Sequence, residues 1–346
     1  YEALCLAASG RAGEVGWGRF GETEWRLFGR LAHPHAEGVG PLVYWAFRDG
    51  SWPAAMPGTV RRLLRGYYYN TLANNTVIYE QLAGILAAFK SAGIPVVVLK
   101  GAALAVTVYE DIGLRPMGDI DLLVRPARLR PAMRVLHGCG FDLHKISVHA
   151  QHLRDDLPPV MVELHWGLVI RDAAGKLPDM DWFWDRAVPA SVPELAGGLV
   201  LAPEAHRVYL TAHSGMQHAG FQGRLIWERD LCLLPGGGAA GQVPENGRPE
   251  PTFRWPGEPN GHRPATSAGR RGEDGAAGEE NDESPSRIFD ALSLLGPVTR
   301  LSFLWHILFP PRGYIRSRYP VRTGIRLPYY YLLRWLEGFR RLRAHE

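Results

Sequence analysis

An α+β fold with an α/β-like core is predicted for this 346-residue chain by three observations. A helical pattern at 67–92 delivers the chain into an unbroken apolar stretch, 96–99, of the kind found in a strand buried on both faces. Residues 96–124, VVVLKGAALAVTVYEDIGLRPMGDIDLLV, then read as strand, tight turn, helix, loop and second strand. Helical patterns, not strands, dominate the sequence on both sides of this core.

The N-terminal region, 1–92, is expected to be helical. Loose helical patterns cover 25–32, 39–47 and 59–65, interrupted by Pro53 and Pro57, and Arg61, Arg62 and Arg65 belong to a solvated face. From 67 onward Leu72, Val77, Tyr79, Leu82, Ile85, Leu86 and Phe89 recur mostly at three- and four-residue steps, until Gly93 stops the helix.

The core is expected over 93–190. Gly101 follows Lys100 where strand gives way to helix. A helix start presents free backbone N–H groups, and glycine lets a phosphate come close to them. Taken alone, Lys-Gly is equally an ordinary turn.

The second strand opens with Asp119-Ile120-Asp121. Side chains alternate along a strand, so the two aspartates share one face while Ile120 and Leu122 take the other. Neighbouring anions raise each other's pKa unless a cation lies between them. Oxygen-only donors favour Mg²⁺ or Mn²⁺, ions that also bind phosphate oxygens, which points to nucleotide chemistry. Arg115, just upstream, reads either as a salt-bridging buttress or as a clamp on a triphosphate.

A helix at 125–137 is expected to pack back on the sheet. In the strand 160–166, VMVELHW, the residues Met161, Glu163 and His165 share a face. Beside the Asp119 strand, Glu163 becomes a third carboxylate on the same patch; elsewhere it is a solvent-facing side chain. Asp179-Met180-Asp181 is a competing acidic pair, but its setting after Pro178 reads as a helix cap.

Residues 191–234 are expected to be helical after Pro203. His213 and His218 lack i, i+4 spacing and HExxH is absent, so they read as core or surface histidines. The scattered His144, His149, His152 and His165 are not read as a zinc site. Residues 235–286 change abruptly to Gly, Pro and Glu, a composition that buries too little to offset ordering entropy, and a disordered insertion is expected. The final region, 287–346, resumes as helices, broken at Gly296-Pro297 and Pro310-Pro311 and ending in a helix at 328–342.

Apolar residues at 46% are enough for a sizeable core, and a formal charge of +4 permits a polyanionic ligand without demanding one. Three cysteines without a CxxC pair favour a reducing compartment. Glu2, Glu14 and Glu22 interrupt any signal peptide, and the apolar run at 301–311 is about half the ~20 residues of a membrane span. A cytoplasmic protein without a membrane partner is expected.

LKGAAL, GLRPMGDIDLLV, VELHW, RLIWERDL and LFPPRGYIRSRYP together resemble the poorly characterised bacterial nucleotidyltransferase-like family of the polymerase-β superfamily. The likeness runs from about 25 to 234 and again from about 300 to 340. It implies a small mixed β-sheet core flanked by helical regions, a nucleoside triphosphate at the glycine turn, and Mg²⁺ (or Mn²⁺) on the carboxylates. Asp119 and Asp121 would be metal ligands, with Glu163 as the third carboxylate or a base, where the superfamily often shows Asp. Lys100 and Gly101 stand at the superfamily's Gly-Ser signature, and with Arg115 they would contact the nucleotide. The implied activity is two-metal in-line transfer of a nucleoside monophosphate to a hydroxyl on a small molecule, protein or RNA. The alternatives are a nucleotide-sensing or partner-binding protein on the same fold, or a tRNA-modifying toxin.

Overall fold

A computed structural model describes residues 1–155, 159–172, 174–214, 224–235, 285–319 and 327–344. The segment 235–286, expected to be disordered, lies outside these residues except at its ends.

Three N-terminal helices, α1 (Glu2–Ala8), α2 (Glu22–Leu31) and α3 (Gly40–Ala46), gather around the first half of α4 (Gly58–Ser91). Trp25, Phe28, Val43 and Phe47 form the apolar contact with Leu64 and Tyr67 of α4. The two helical patterns read at 59–65 and 67–92 are one 34-residue helix. Gly66 does not break it, because Val60, Leu64, Tyr67, Tyr68 and Thr71 continue one buried stripe through that point. The second half of α4 buries Leu82, Ile85, Leu86 and Phe89 against the sheet. One helix thus connects two apolar cores.

Among the described residues the sheet has seven strands, in the order β3-β4-β5-β2-β1-β7-β6. These are β1 (Val97–Val98), β2 (Asp119–Leu123), β3 (Asp142–Ile146), β4 (Ala150–Arg154), β5 (Val160–His165), β6 (Ala187–Pro189) and β7 (Leu199–Leu201). Pairing is mixed: β2 runs parallel to β5 and antiparallel to β1, while β1 runs parallel to β7. The sheet is larger than the sequence suggested. Strands β3 and β4 escaped notice because polar His144, Lys145, Gln151 and His152 interrupt their apolar positions, and β6 and β7 are three residues each. Strand β7 carries the sheet beyond the expected core boundary at 190.

Alternation in β2 and β5 divides the sheet into two faces. Ile120, Leu122, Val162 and Leu164 point into the core with α4 and α6 (Leu129–Gly138). Val97, Leu99 and Leu123 point the other way, towards α7 (Met180–Trp184) and α8 (Pro203–Ala212). Between them α5 (Lys100–Thr107) follows β1, and α9 (Leu225–Leu233) packs with the N-terminal core. Asp179 caps α7, its side chain accepting from Asp181 N at 2.9 Å, as expected for a helix cap.

Beyond 284 the chain returns to this fold through α10 (Pro285–Ser293), α11 (Pro297–Leu308), α12 (Arg312–Arg318) and α13 (Leu327–Ala344). Trp166 Nε1 donates to Ala291 O at 2.7 Å, and the Trp166 ring meets Phe303 edge-on at 5.3 Å. Gly167 has no side chain because Leu294 occupies that space, 2.4 Å from where a Cβ would stand. Among the described residues no helix is long and apolar enough to cross a membrane.

Candidate functional site

The parallel register of β2 and β5 sets Asp121 directly opposite Glu163, with Asp119 one alternation away on the same face. One carboxylate oxygen from each of Asp119, Asp121 and Glu163 lies within 4.8 Å of the others. Gln151 of β4 stands opposite Glu163 on its other side, and its Nε2 donates to Glu163 Oε1 at 3.1 Å. The sheet therefore aligns the acidic patch through backbone pairing, before any side chain chooses a rotamer.

The Lys100 ammonium enters this patch. Lys100 Nζ lies 2.8 Å from Asp121 Oδ1, and His165 Nε2 lies 3.0 Å from the same oxygen. Asp121 is only 3% exposed. Burial alone would raise its pKa, but the Lys100 ammonium and the His165 imidazole reverse this and hold it well below the usual carboxylate range. Lys100 shows the counterpart: burial would lower it, and Asp121, Tyr209, Glu163 and Asp119 together push it well above its ordinary value. Burial also works to raise Glu163, yet His149 outweighs it and the carboxyl is lowered. Lys100 and His149 also favour the Asp119 anion, but they do not offset what opposes it. Burial, then the Asp121 and Glu163 anions, push it up to about 7.

The turn that supplies Lys100 differs from expectation. The left-handed backbone falls on Lys100, at φ 46°, not on Gly101. Left-handed backbone at a non-glycine residue costs about 1–2 kcal/mol, and the buried ion pair with Asp121 holds the residue there. At Gly101 a Cβ would stand 3.1 Å from Met117 Cβ and 3.2 Å from Arg115 Nη1. Glycine is needed because the Arg115–Met117 loop packs on it.

Arg115 is likewise engaged by protein, as a salt-bridging buttress would be. Its Nη2 and Nε donate to Asp230 at 2.7 and 3.1 Å, and Tyr109 Oη donates to the same carboxylate at 2.7 Å. Asp230 is fully buried and Arg115 is 7% exposed, so the guanidinium is committed to α9. Asparagines on α4 fix the loop that follows: Asn75 Nδ2 donates to Ile112 O and Arg115 O at 2.5 and 2.9 Å, and Asn74 Nδ2 to Met117 O at 3.0 Å. That loop ends at Asp119.

Two histidines set aside in the sequence reading border the acidic patch. His165 follows Glu163 by one alternation, a relation visible in VELHW. His149 arrives across the β3–β4 hairpin, which has no strand signature, so no local signal could have placed it. Its Nε2 lies 3.1 Å from Glu163 Oε1. Beside both rings is a cavity of about 20 Å³, lined also by Lys100, Tyr209 and Arg287.

A family model described as an uncharacterised nucleotidyltransferase matches residues 21–235. No curated protein and no solved structure matches the chain.

Proposed function

Because the chain belongs to the uncharacterised nucleotidyltransferase family, we propose that it moves a nucleoside monophosphate from a nucleoside triphosphate to a hydroxyl-bearing acceptor. The observation that carries this reading is the convergence of Asp119, Asp121 and Glu163 from paired strands around one ammonium. Three oxygen donors so close suit a hard divalent cation, which binds one or two carboxylates and fills its other positions with water and phosphate oxygens. Asp119, Asp121 and Glu163 would hold Mg²⁺ (or Mn²⁺). When bound, the ion supplies Lewis-acid stabilisation of phosphate charge and lowers the pKa of the acceptor hydroxyl.

The rest of the step falls to the chain's own groups. Glu163, held by Gln151, completes the ligand set or takes the acceptor's proton. The acceptor oxygen then bonds to the α-phosphorus as the bond to pyrophosphate breaks in line with it. Lys100 lines the neighbouring cavity and would meet triphosphate oxygens there. Arg115 and Gly101 are assigned to the wall of the site, since their contacts are with protein. The free cysteines Cys5, Cys139 and Cys232 fit a reducing, cytoplasmic setting.

Labelled nucleoside triphosphates incubated with purified protein, Mg²⁺ and candidate acceptors should give label transfer and pyrophosphate, both lost in Asp119→Asn and Asp121→Asn. Equal labelling by all three proteins sinks the assignment. A second reading, nucleotide sensing without turnover, is favoured by the Lys100–Asp121 pair, which already neutralises one carboxylate. Calorimetry separates the two, because a sensor binds the triphosphate and releases no pyrophosphate.

A further inference from the structure

We propose a second metal centre on the same face of the sheet, built from His149, Glu163 and His165 and suited to a divalent transition metal such as Zn²⁺, Mn²⁺ or Co²⁺. One ligand atom from each of these residues lies within 4.8 Å of the others. Both imidazoles aim the same nitrogen at one carboxylate: His149 Nε2 is 3.1 Å from Glu163 Oε1, and His165 Nε2 is 3.8 Å from Glu163 Oε2. Tetrahedral ligands at 2.0–2.1 Å from zinc stand about 3.4 Å apart, and the two distances straddle that value. Asp121 Oδ1, 3.0 Å from His165 Nε2, is a further oxygen beside the centre.

The donor set separates this centre from the carboxylate trio. Two imidazoles and one carboxylate are softer than three carboxylates and favour transition metals over Mg²⁺. Gln151 Nε2 lies 3.1 Å from Glu163 Oε1 and 3.2 Å from His149 Nε2, holding these two ligand atoms side by side until an ion takes the amide's place. Burial supports preorganisation: His149 is 2% and His165 7% exposed.

Three protein ligands with one open position is the pattern of a reactive metal site and not of a closed structural one. The cavity of about 20 Å³ beside both histidines has room for one water-sized group. Lys100 and Arg287 bring two cations to its wall, so the open position fits an anionic oxygen, as in hydroxide or a phosphate. Arg287 comes from α10, placing the C-terminal helices at the rim of the centre.

The proposal stands on this geometry and does not depend on nucleotidyl transfer. The full chain, stripped with chelator, is titrated with Co²⁺, followed by visible d–d absorption and by X-ray absorption of the loaded wild type. The expected result is a bound Co²⁺ with two imidazoles in its first coordination sphere, its binding weakened at least about ten-fold in His149→Ala and in His165→Ala. Asp119→Asn, which breaks the carboxylate trio, should retain the imidazole-ligated Co²⁺ whether or not it retains nucleotidyl transfer. Oxygen-only coordination, or Co²⁺ binding of wild-type strength in His165→Ala, overturns the proposal. Circular dichroism checks the variants, and should one not fold, the imidazole count from the wild type decides alone.

Discussion

Two carboxylate clusters in this protein use similar side chains to opposite ends. Around Asp230 one anion meets one guanidinium and one phenol, every contact is short, and the group is sealed from solvent. Around Asp121 three carboxylates gather with the Lys100 ammonium and two imidazoles, and Asp119 is pushed up to about 7. A balanced buried pair resists exchange with anything outside. An unbalanced one invites a further cation. The two lie at opposite ends of one loop, since Arg115 of the first precedes Asp119 of the second by four residues.

Asp119→Asn probes the contrast most sharply. It should cut nucleotidyl transfer at least about 10³-fold by removing a ligand that stabilises the transition state. The fold should respond in the opposite sense. A carboxyl whose folded pKa is raised contributes stability at low pH that disappears as pH rises through about 7. Above that pH the variant should therefore be more stable than wild type without metal, by up to about 4 kcal/mol in urea titrations.

Asp230→Ala should do the reverse to the closed cluster. It strands the Arg115 guanidinium, and equilibrium unfolding should show a loss of about 3–5 kcal/mol. A loss under ~1 kcal/mol would mean that the pair is not the buttress described.

Acid should weaken the structure through groups outside the acidic patch. Burial, then the nearby Arg115 charge, lowers His206 to about 4, and burial lowers His152 to about 4. Both are depressed in the folded state, so their contribution is present above the unfolded value near 6.5 and is lost as pH falls towards 4. About 3 kcal/mol for His206 is expected from a shift of this size. His206→Phe should flatten the stability profile between those limits.

The smallest effect belongs to the link between the clusters. Asn75→Ala removes two hydrogen bonds to the loop and should cost about 1–3 kcal/mol, read by thermal unfolding. Activity should fall with it, because the loop sets the approach to Asp119.

The second half of the central helix, the strands 119–123 and 160–165 and the shared face of Asp119 and Asp121 were legible because periodicity is local and backbone alternation is strict, whereas Glu163 joins them through a strand pairing the sequence left open. What decides the roles of Lys100, Gly101 and Arg115 is not local. Asp230 lies far along the chain, and no spacing in the sequence ties it to Arg115. His149 reached the patch through a hairpin whose polar composition concealed both strands.

The return of α10 to the sheet has a consequence for how the gene may be divided. Trp166 hydrogen-bonds Ala291, Arg171 is paired with Asp290, and Arg287 donates to Val169 O. A break between 236 and 284 would yield two polypeptides that each carry one side of the same joint, so neither half alone should possess a finished cavity.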